Sequence, residues 1–312
     1  MTASRSRATR CLGCRHTADR TDPDGGLRAR SIVGLTIERV TAKDFRFGVG
    51  LWPKKTRAAW QDTARRAEGL GFDVLHVPDH LGAPAPFPAL VSAADVTSVK
   101  VGTFVLNAGF YKPALLARDV GGLDMLTDGR FELGLGAGYV REEFAAAELP
   151  FPSARSRVDY LGHVTGYLRE QVSNVPILIA GSGDRLLTLA AERADIIGVA
   201  GGRPGSAAAD PLAERIEFVR RAAGDRFDQL ELNLAITAVP HDSSGVPDLS
   251  LTRRYAPTLS DEELLELPGV LSGSPRDIAD RLRHHRDTYG LTYFTVQEHH
   301  AEGFSKVIAE LR

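Results

Sequence analysis

Acid–base chemistry is the first activity that single residues of this sequence suggest. His80 follows Asp79 directly after a short apolar run, and an imidazole there can act as an acid, a base or a hydrogen-bond donor. Glu142 and Glu143 follow another apolar run, where a carboxylate can take part in proton transfer. Alternatively, all three are solvated loop residues without a catalytic role. We treat His80, Glu142 and Glu143 as candidate catalytic residues.

A glycine-rich turn offers a second kind of chemistry, the binding of an anion. Gly181, Ser182 and Gly183 lie directly before a helical pattern, so their N–H groups and the helix dipole favour a phosphate. Arg185 is available there as a counter-charge. A tight strand-to-helix turn that requires positive φ is an equally good explanation of the same glycines.

Three alternating glycines, Gly134, Gly136 and Gly138, form a third candidate feature. Their missing side chains would let a flat ring lie close to the backbone. They do not form a dinucleotide-binding fingerprint, because position 141 is Arg where the fingerprint has Gly or Ala. The preceding strand is also not the first strand of a dinucleotide-binding unit. A layer of small residues inside a barrel is the alternative.

The candidates lie where apolar runs end, and from residue 45 onward such runs alternate with helical patterns. The predicted strands cover residues 45–51, 73–77, 99–106, 131–135, 175–180, 196–200, 230–239 and 293–296. The predicted helices cover residues 60–70, 89–96, 116–126, 155–169, 184–193, 211–223, 275–289 and 303–311. Eight such repeats predict an α/β fold, a closed parallel (β/α)8 barrel. An open, doubly wound sheet is the alternative, but it usually has about five or six strands.

A barrel also predicts where the active site lies, because barrel enzymes build it from loops at the C-terminal ends of the strands. Trp52 follows the first predicted strand, Asn107 the third and Tyr139 the fourth. Together with the residues above, they are the side chains that would meet at the barrel mouth.

Composition and charge limit the partners. The 312 residues are 43% hydrophobic and 25% charged, as in globular proteins, and the net charge of −2 gives no basic field for a nucleic acid. The best apolar signal candidate, residues 32–37, is too short for secretion, and we find no transmembrane pattern. We expect a cytoplasmic protein that acts on a small molecule and binds neither nucleic acid nor membrane.

Residues 1–43 differ from the remainder. They hold eight Arg and one Lys against three Asp and one Glu, and they lack helical or strand periodicity. We expect a disordered extension there and a barrel domain over residues 44–312. Both cysteines, Cys11 and Cys14, lie in this extension, and with His16 they supply only three of the four ligands of a zinc site. We therefore expect no metal.

A joint pattern of short motifs extends from residue 45 to the C-terminus. The motifs are Phe47-Gly48-Val49, residues 67–73, Pro78-Asp79-His80, and residues 101–103, 113–118, 129–138, 177–195 and 273–275. In this order they resemble the bacterial luciferase-like flavin and deazaflavin oxidoreductases. Within that family the chain is most similar to the actinobacterial branch that uses coenzyme F420.

The resemblance implies a barrel with a cofactor ring at its mouth and the cofactor phosphate at Gly181–Gly183. It also implies a non-proline cis peptide bond at Phe104–Val105, in the third strand, and a position for His80 near the reactive face of the ring. The candidate cofactor-binding residues are Trp52, Asp79, Phe104, Val105, Asn107, Gly136, Ala137, Gly138, Gly181, Ser182, Gly183 and Arg185.

The implied function is hydride transfer between coenzyme F420 and a small organic substrate, with an FMN-dependent monooxygenase as the alternative. The chain departs from its relatives in two respects. Tyr139 stands where some deazaflavin dehydrogenases have a glutamate proton donor, and the connection before Val175 is short. These departures add Tyr139 to the catalytic candidates and keep open a cofactor-free hydrolase, lyase or binding protein. The oligomeric state, including a homodimer, is also open.

Overall fold

The computed structural model describes residues 44–199 and 208–312. Its strands are β1 (Arg46–Gly50), β2 (Val74–Val77), β3 (Lys100–Thr103), β4 (Leu106–Asn107), β5 (Phe131–Gly136), β6 (Ile177–Gly181), β7 (Ile196–Val199), β8 (Glu231–Ile236) and β9 (Leu291–Gln297). They pair in parallel in the order β3-β2-β1-β9-β8-β7-β6-β5-β4, and β3 also pairs with β5. The sheet therefore closes into a barrel. Because β3 and β4 both pair with β5 and together form one interrupted strand, the nine strands in the described part of the chain occupy eight positions. The predicted (β/α)8 barrel is confirmed.

The helices surround this barrel. They are α1 (Arg57–Gly69), α2 (Pro86–Ala94), α3 (Pro113–Leu126), α4 (Arg141–Ala146), α5 (Ala154–Gln171), α6 (Asp184–Arg193), α7 (Pro211–Ala223), α8 (Ser250–Tyr255), α9 (Asp261–Leu265), α10 (Pro275–Tyr289) and α11 (Ala301–Leu311). The eight predicted helices are present. The short helices α4, α8 and α9 were not predicted, and they lie in the connections that follow β5 and β8.

Alternation along the strands separates an outer apolar layer from the barrel interior. Phe47 on β1 points outward and meets Phe304 of α11 edge-on, with ring centroids 5.8 Å apart. Its neighbour Gly48 points inward, where a Cβ would lie 2.9 Å from the imidazole of His76. Successive side chains of a strand take opposite faces, so this pattern follows from the period of two.

A charged cluster fills the base of the barrel. The Arg46 guanidinium bonds to both Glu132 and Glu231, and Lys100 lies 3.1 Å from Glu132. Burial acts to lower the pKa of Arg46, but Glu132 and Glu231 raise it above its usual value. The Arg46 guanidinium also lies 4.4 Å from the ring centroid of Tyr293. Paired charges close the end of the barrel that lies opposite the strand-end loops.

The third strand is broken, which corrects the prediction of one continuous strand over residues 99–106. β3 ends at Thr103, and β4 begins at Leu106, where it pairs with Leu135 of β5. The cis peptide bond that the resemblance implies at Phe104–Val105 lies in this break.

The glycines beside the break are explained by the path of the third strand. A Cβ at Gly134 would overlap the carbonyl oxygen of Thr103, and one at Gly136 would lie 2.8 Å from a methyl group of Val105. A Cβ at Gly138 would overlap the side-chain oxygen of Asn107. Each glycine thus makes room for one residue of the broken strand. The glycines and the residues that they face both recur at every second position.

The predicted extension, residues 1–43, lies outside the described residues, as do Cys11 and Cys14. In the part of the chain that the structure describes, none of the helices combines the length and the apolar character needed to cross a bilayer.

Candidate active site

His80 and Glu143 meet at the mouth of the barrel. Nδ1 of His80 lies 2.8 Å from Oε1 of Glu143, and the side chains are 33% and 16% exposed. β2 ends three residues before His80, and Glu143 lies in the first turn of α4, which follows β5. The structure therefore brings together two of the four candidate catalytic residues from separate strand ends.

The hydrogen bond selects the tautomer of His80. A carboxylate accepts hydrogen bonds and does not donate them, so the proton of a neutral imidazole lies on Nδ1, facing Glu143. Nε2 is then left as a proton acceptor. The indole ring of Trp52 stacks with the imidazole of His80, with ring centroids 5.9 Å apart and the ring planes 11° apart. His80 is thus held both by a charge and by a stacked ring.

Asp79, the residue directly before His80, is fixed by hydrogen bonds. Its buried carboxylate accepts a hydrogen bond from the backbone N–H of Asn107 at 3.1 Å. Burial raises the pKa of Asp79, although hydrogen bonds from Asn107 and from the Tyr111 hydroxyl oppose this shift. Asp79 therefore ties the end of β2 to the broken third strand.

The turn between β6 and α6 has no need of left-handed backbone. None of Gly181, Ser182 and Gly183 has positive φ, and Gly183, the residue before α6, has φ −79°. The alternative of a turn that requires positive φ is therefore wrong. A Cβ at Gly181 would lie 2.8 Å from Leu186, but one at Gly183 would meet nothing within 4 Å. Gly183 is the N-cap of α6, a position that favours glycine over residues with alkyl side chains, and its backbone is exposed.

Arg185 already has a carboxylate partner. Its guanidinium Nε donates to the carboxylate of Asp159 on α5 at 2.9 Å, so its charge is already balanced. The sequence could not show this pair, because it depends on how α5 and α6 pack together.

The remaining candidates on β5, on α4 and on the loop between them lie outside the His80–Glu143 pair. Glu142 is exposed on α4, and Tyr139 is exposed on the loop before it. Gly136 and Gly138 face the third strand, and the carbonyl of Gly138 accepts a hydrogen bond from Arg157 at 2.9 Å. These glycines therefore shape the third strand and do not themselves offer open space to a ring.

Sequence reasoning missed several mouth residues. Tyr111, the partner of Asp79, follows Asn107 by four residues but carries no motif of its own. Lys54 bonds to Glu298 at 2.6 Å, and the same carboxylate accepts from the backbone N–H of Trp52 at 3.2 Å. No local pattern predicts this link, because Lys54 and Glu298 belong to the first and last units of the barrel.

Comparison with known proteins identifies the fold family. The family model for luciferase-like monooxygenases matches residues 45–246. The chain belongs to this luciferase-like family. The resemblance inferred from its motifs is confirmed, and so is the expectation that it is an enzyme, an oxidoreductase or monooxygenase.

Two curated relatives of this luciferase-like protein are F420-dependent or pterin-reducing enzymes by name. An F420-dependent glucose-6-phosphate dehydrogenase of Intrasporangium calvum is 27% identical over 299 residues, covering 78% of this chain and 88% of the relative. A 5,10-methylenetetrahydromethanopterin reductase of Archaeoglobus fulgidus is 26% identical over 170 residues. That match covers 48% of this chain and 51% of the reductase, so the chain spans about half of it.

Solved structures show the same barrel. The coenzyme F420-dependent tetrahydromethanopterin reductase from Methanopyrus kandleri superposes with a TM-score of 0.69 at 18% identity, covering 86% of this chain and 100% of the reductase. Monooxygenase RslO1 from Streptomyces bottropensis gives a TM-score of 0.66 at 18% identity, covering 85% of this chain and 98% of that one. At this identity the similarity concerns the fold alone.

Proposed function

We propose that this protein transfers a hydride between a deazaflavin, coenzyme F420, and a small organic substrate. The His80–Glu143 pair carries the proposal, because it provides a proton carrier at the strand ends, where barrel enzymes hold their substrates. The similarity to an F420-dependent dehydrogenase over most of both chains supports a deazaflavin as the cofactor.

The glycine turn fits the phosphate of such a cofactor. Ser182 and Gly183 are exposed and precede α6, and the missing side chain of Gly183 leaves open space. N–H groups at the start of a helix attract an anion through hydrogen bonds and the helix dipole. Gly181–Gly183 would hold the phosphate, and the ring would lie against Phe104–Val105, as the resemblance implies.

Two residues of the protein, His80 and Glu143, control the proton transfer. When bound, the deazaflavin ring supplies or accepts the hydride. Nε2 of His80 accepts a proton from a substrate hydroxyl, and in the reverse reaction the protonated imidazole returns this proton to the substrate. Glu143 keeps the imidazole in the required tautomer and stabilises its positive charge through the 2.8 Å hydrogen bond.

An FMN-dependent monooxygenase is the second candidate. A 4-hydroxyprotoasukamycin monooxygenase of Streptomyces nodosus subsp. asukaensis is 32% identical over 99 residues, covering 30% of this chain and 25% of that enzyme. The same glycine turn would serve the phosphate of FMN. The cofactor therefore has to be decided by binding.

Equilibrium titration of the purified protein with F420 and with FMN tests the proposal. We expect F420 to bind more tightly, and Ser182→Asp to weaken it at least tenfold, about 1.4 kcal/mol, because a carboxylate there repels the phosphate. Ser173→Asp is the matched control, since it adds the same charge in the loop between α5 and β6, at the opposite end of the barrel. Binding of FMN alone would favour the monooxygenase, and binding of neither cofactor would refute both.

A further inference from the structure

Three exposed aromatic side chains, called the rim here, lie at the mouth of the barrel. In the part of the chain that the structure describes, three large aromatic side chains are exposed: Trp52 at 45%, Tyr139 at 69% and Tyr255 at 63%. Trp52 follows β1, Tyr139 follows β5, and Tyr255 ends α8, which follows β8. Thr252 of α8 bonds to Thr237, directly after β8, at 2.8 Å. All three aromatic residues therefore lie at the strand-end face.

The rim is continuous with the acid–base pair. Trp52 stacks on His80, and His80 bonds to Glu143. Tyr139 lies two residues before α4, the helix that carries Glu143. Burial, Tyr255 and Glu143 raise the pKa of Tyr139. Stacking and hydrogen bonding therefore connect Trp52 with the acid–base pair, and the chain places Tyr139 directly before the helix that carries Glu143.

Two cations near the rim, Lys54 and Arg157, already have hydrogen-bond partners. Lys54 pairs with Glu298 at 2.6 Å. Arg157 donates to the carbonyl groups of Gly138 at 2.9 Å and Pro152 at 2.6 Å. A phosphorylated substrate would have to share these two cations with their present partners, whereas a neutral ring needs only the exposed aromatic faces.

We propose that the substrate is an uncharged, planar aromatic molecule, which the rim of Trp52, Tyr139 and Tyr255 holds beside His80. That the substrate reacts there rests on the proposed function. The rim itself is a binding surface whether or not a cofactor is present. Large exposed aromatic side chains are costly to leave in water, and stacking adds to the apolar area that a flat ligand buries.

Equilibrium dialysis with three probes tests the rim. The probes are β-naphthol, its saturated analogue decahydro-β-naphthol, and glucose 6-phosphate. We expect β-naphthol to bind more tightly than the saturated alcohol, and glucose 6-phosphate to bind most weakly. Trp52→Leu and Tyr255→Leu should each weaken β-naphthol binding about three- to tenfold, which corresponds to the stacking contribution of an aromatic pair. Met125→Leu, at a residue 70% exposed on α3, is the control and should change nothing.

Each dialysis is repeated with F420 present. Undiminished β-naphthol binding supports a substrate site, because the rim is then free when the cofactor is bound. Competition between β-naphthol and F420 would overturn the proposal, since the rim would then bind the cofactor ring itself. Tight F420 binding with no preference for β-naphthol would also overturn it while leaving the proposed function intact. Loss of F420 binding alone would refute the proposed function and not the rim.

Discussion

Replacing Glu143 by Gln tests whether this carboxylate controls His80. The substitution keeps the shape of the side chain and removes its charge, so the amide can offer N–H as well as oxygen to Nδ1. A hydrogen bond to a charged group contributes about 1.5–3 kcal/mol. His80 is 33% exposed and Glu143 is 16% exposed, so solvent reduces this figure and the lower end applies. We expect kcat to fall about tenfold, since 1.4 kcal/mol corresponds to that factor.

His80→Ala should lower kcat by about 10²-fold or more, because it removes the proton carrier. In that background Glu143→Gln should have no further effect, since nothing is left for Glu143 to orient. The assay is the visible absorbance of the deazaflavin during turnover, combined with NMR shifts of the His80 ring nitrogens, which report the tautomer without any substrate. Glu142→Gln is the matched control, because Glu142 is the exposed neighbour on the same helix.

Two results would refute this reasoning. One is a Glu142→Gln variant that loses as much activity as Glu143→Gln. The other is a double variant whose losses add, because independent effects would mean that Glu143 does not act through His80.

Further expectations concern stability. Gly134→Ala should lower the free energy of unfolding, measured in urea, by about 1–3 kcal/mol, because the new methyl group overlaps the Thr103 carbonyl. Gly183→Ala, with open space around the new methyl group, should change the free energy of unfolding by no more than about 0.5 kcal/mol. Equal losses in the two variants would contradict this account. Burial lowers the pKa of His76 from 6.5 to about 4, so the unfolded chain binds a proton that the folded protein does not, and stability should fall as the pH drops from 6.5 towards 4. His76→Gln should make that slope shallower in urea titrations at several pH values, although His285 and His300 are shifted in the same direction; an unchanged slope would show that His76 does not titrate on unfolding.

The regular part of the barrel could be read from the sequence because local signals agree with the final packing. The predicted bounds of α6 and α7 match the structure, and α7 begins with Asp210 as its cap and Pro211 in its first turn. The short helix α9 was missed because its five residues are too few to show periodicity, although Ser260 and Glu263 form a capping box. The apolar run over residues 99–106 did not show the break after Thr103, because the break faces the glycines of a different strand; only the resemblance indicated an irregularity at Phe104–Val105.

The candidate site was predictable in its members but not in its contacts. Glu142 and Glu143 are equivalent in sequence, and only the rotation of α4, set by its buried residue Phe144, turns Glu143 towards His80. The partner of Arg185 likewise depends on the packing of α5 against α6. Spacing along the chain places strand ends at the mouth, but contacts between elements far apart in sequence require the folded structure.

The ion pairs of Arg46 link the barrel across long stretches of chain. Arg46 lies 86 residues before Glu132 and 185 residues before Glu231, and it bonds to both. A chain that has assembled only as far as β5 can pair this guanidinium with Glu132 but not with Glu231. The second ion pair stabilises only the closed barrel. The charge at the base is therefore balanced only after β8 has joined, which favours assembly of the whole barrel in one cooperative step over a stable half-barrel.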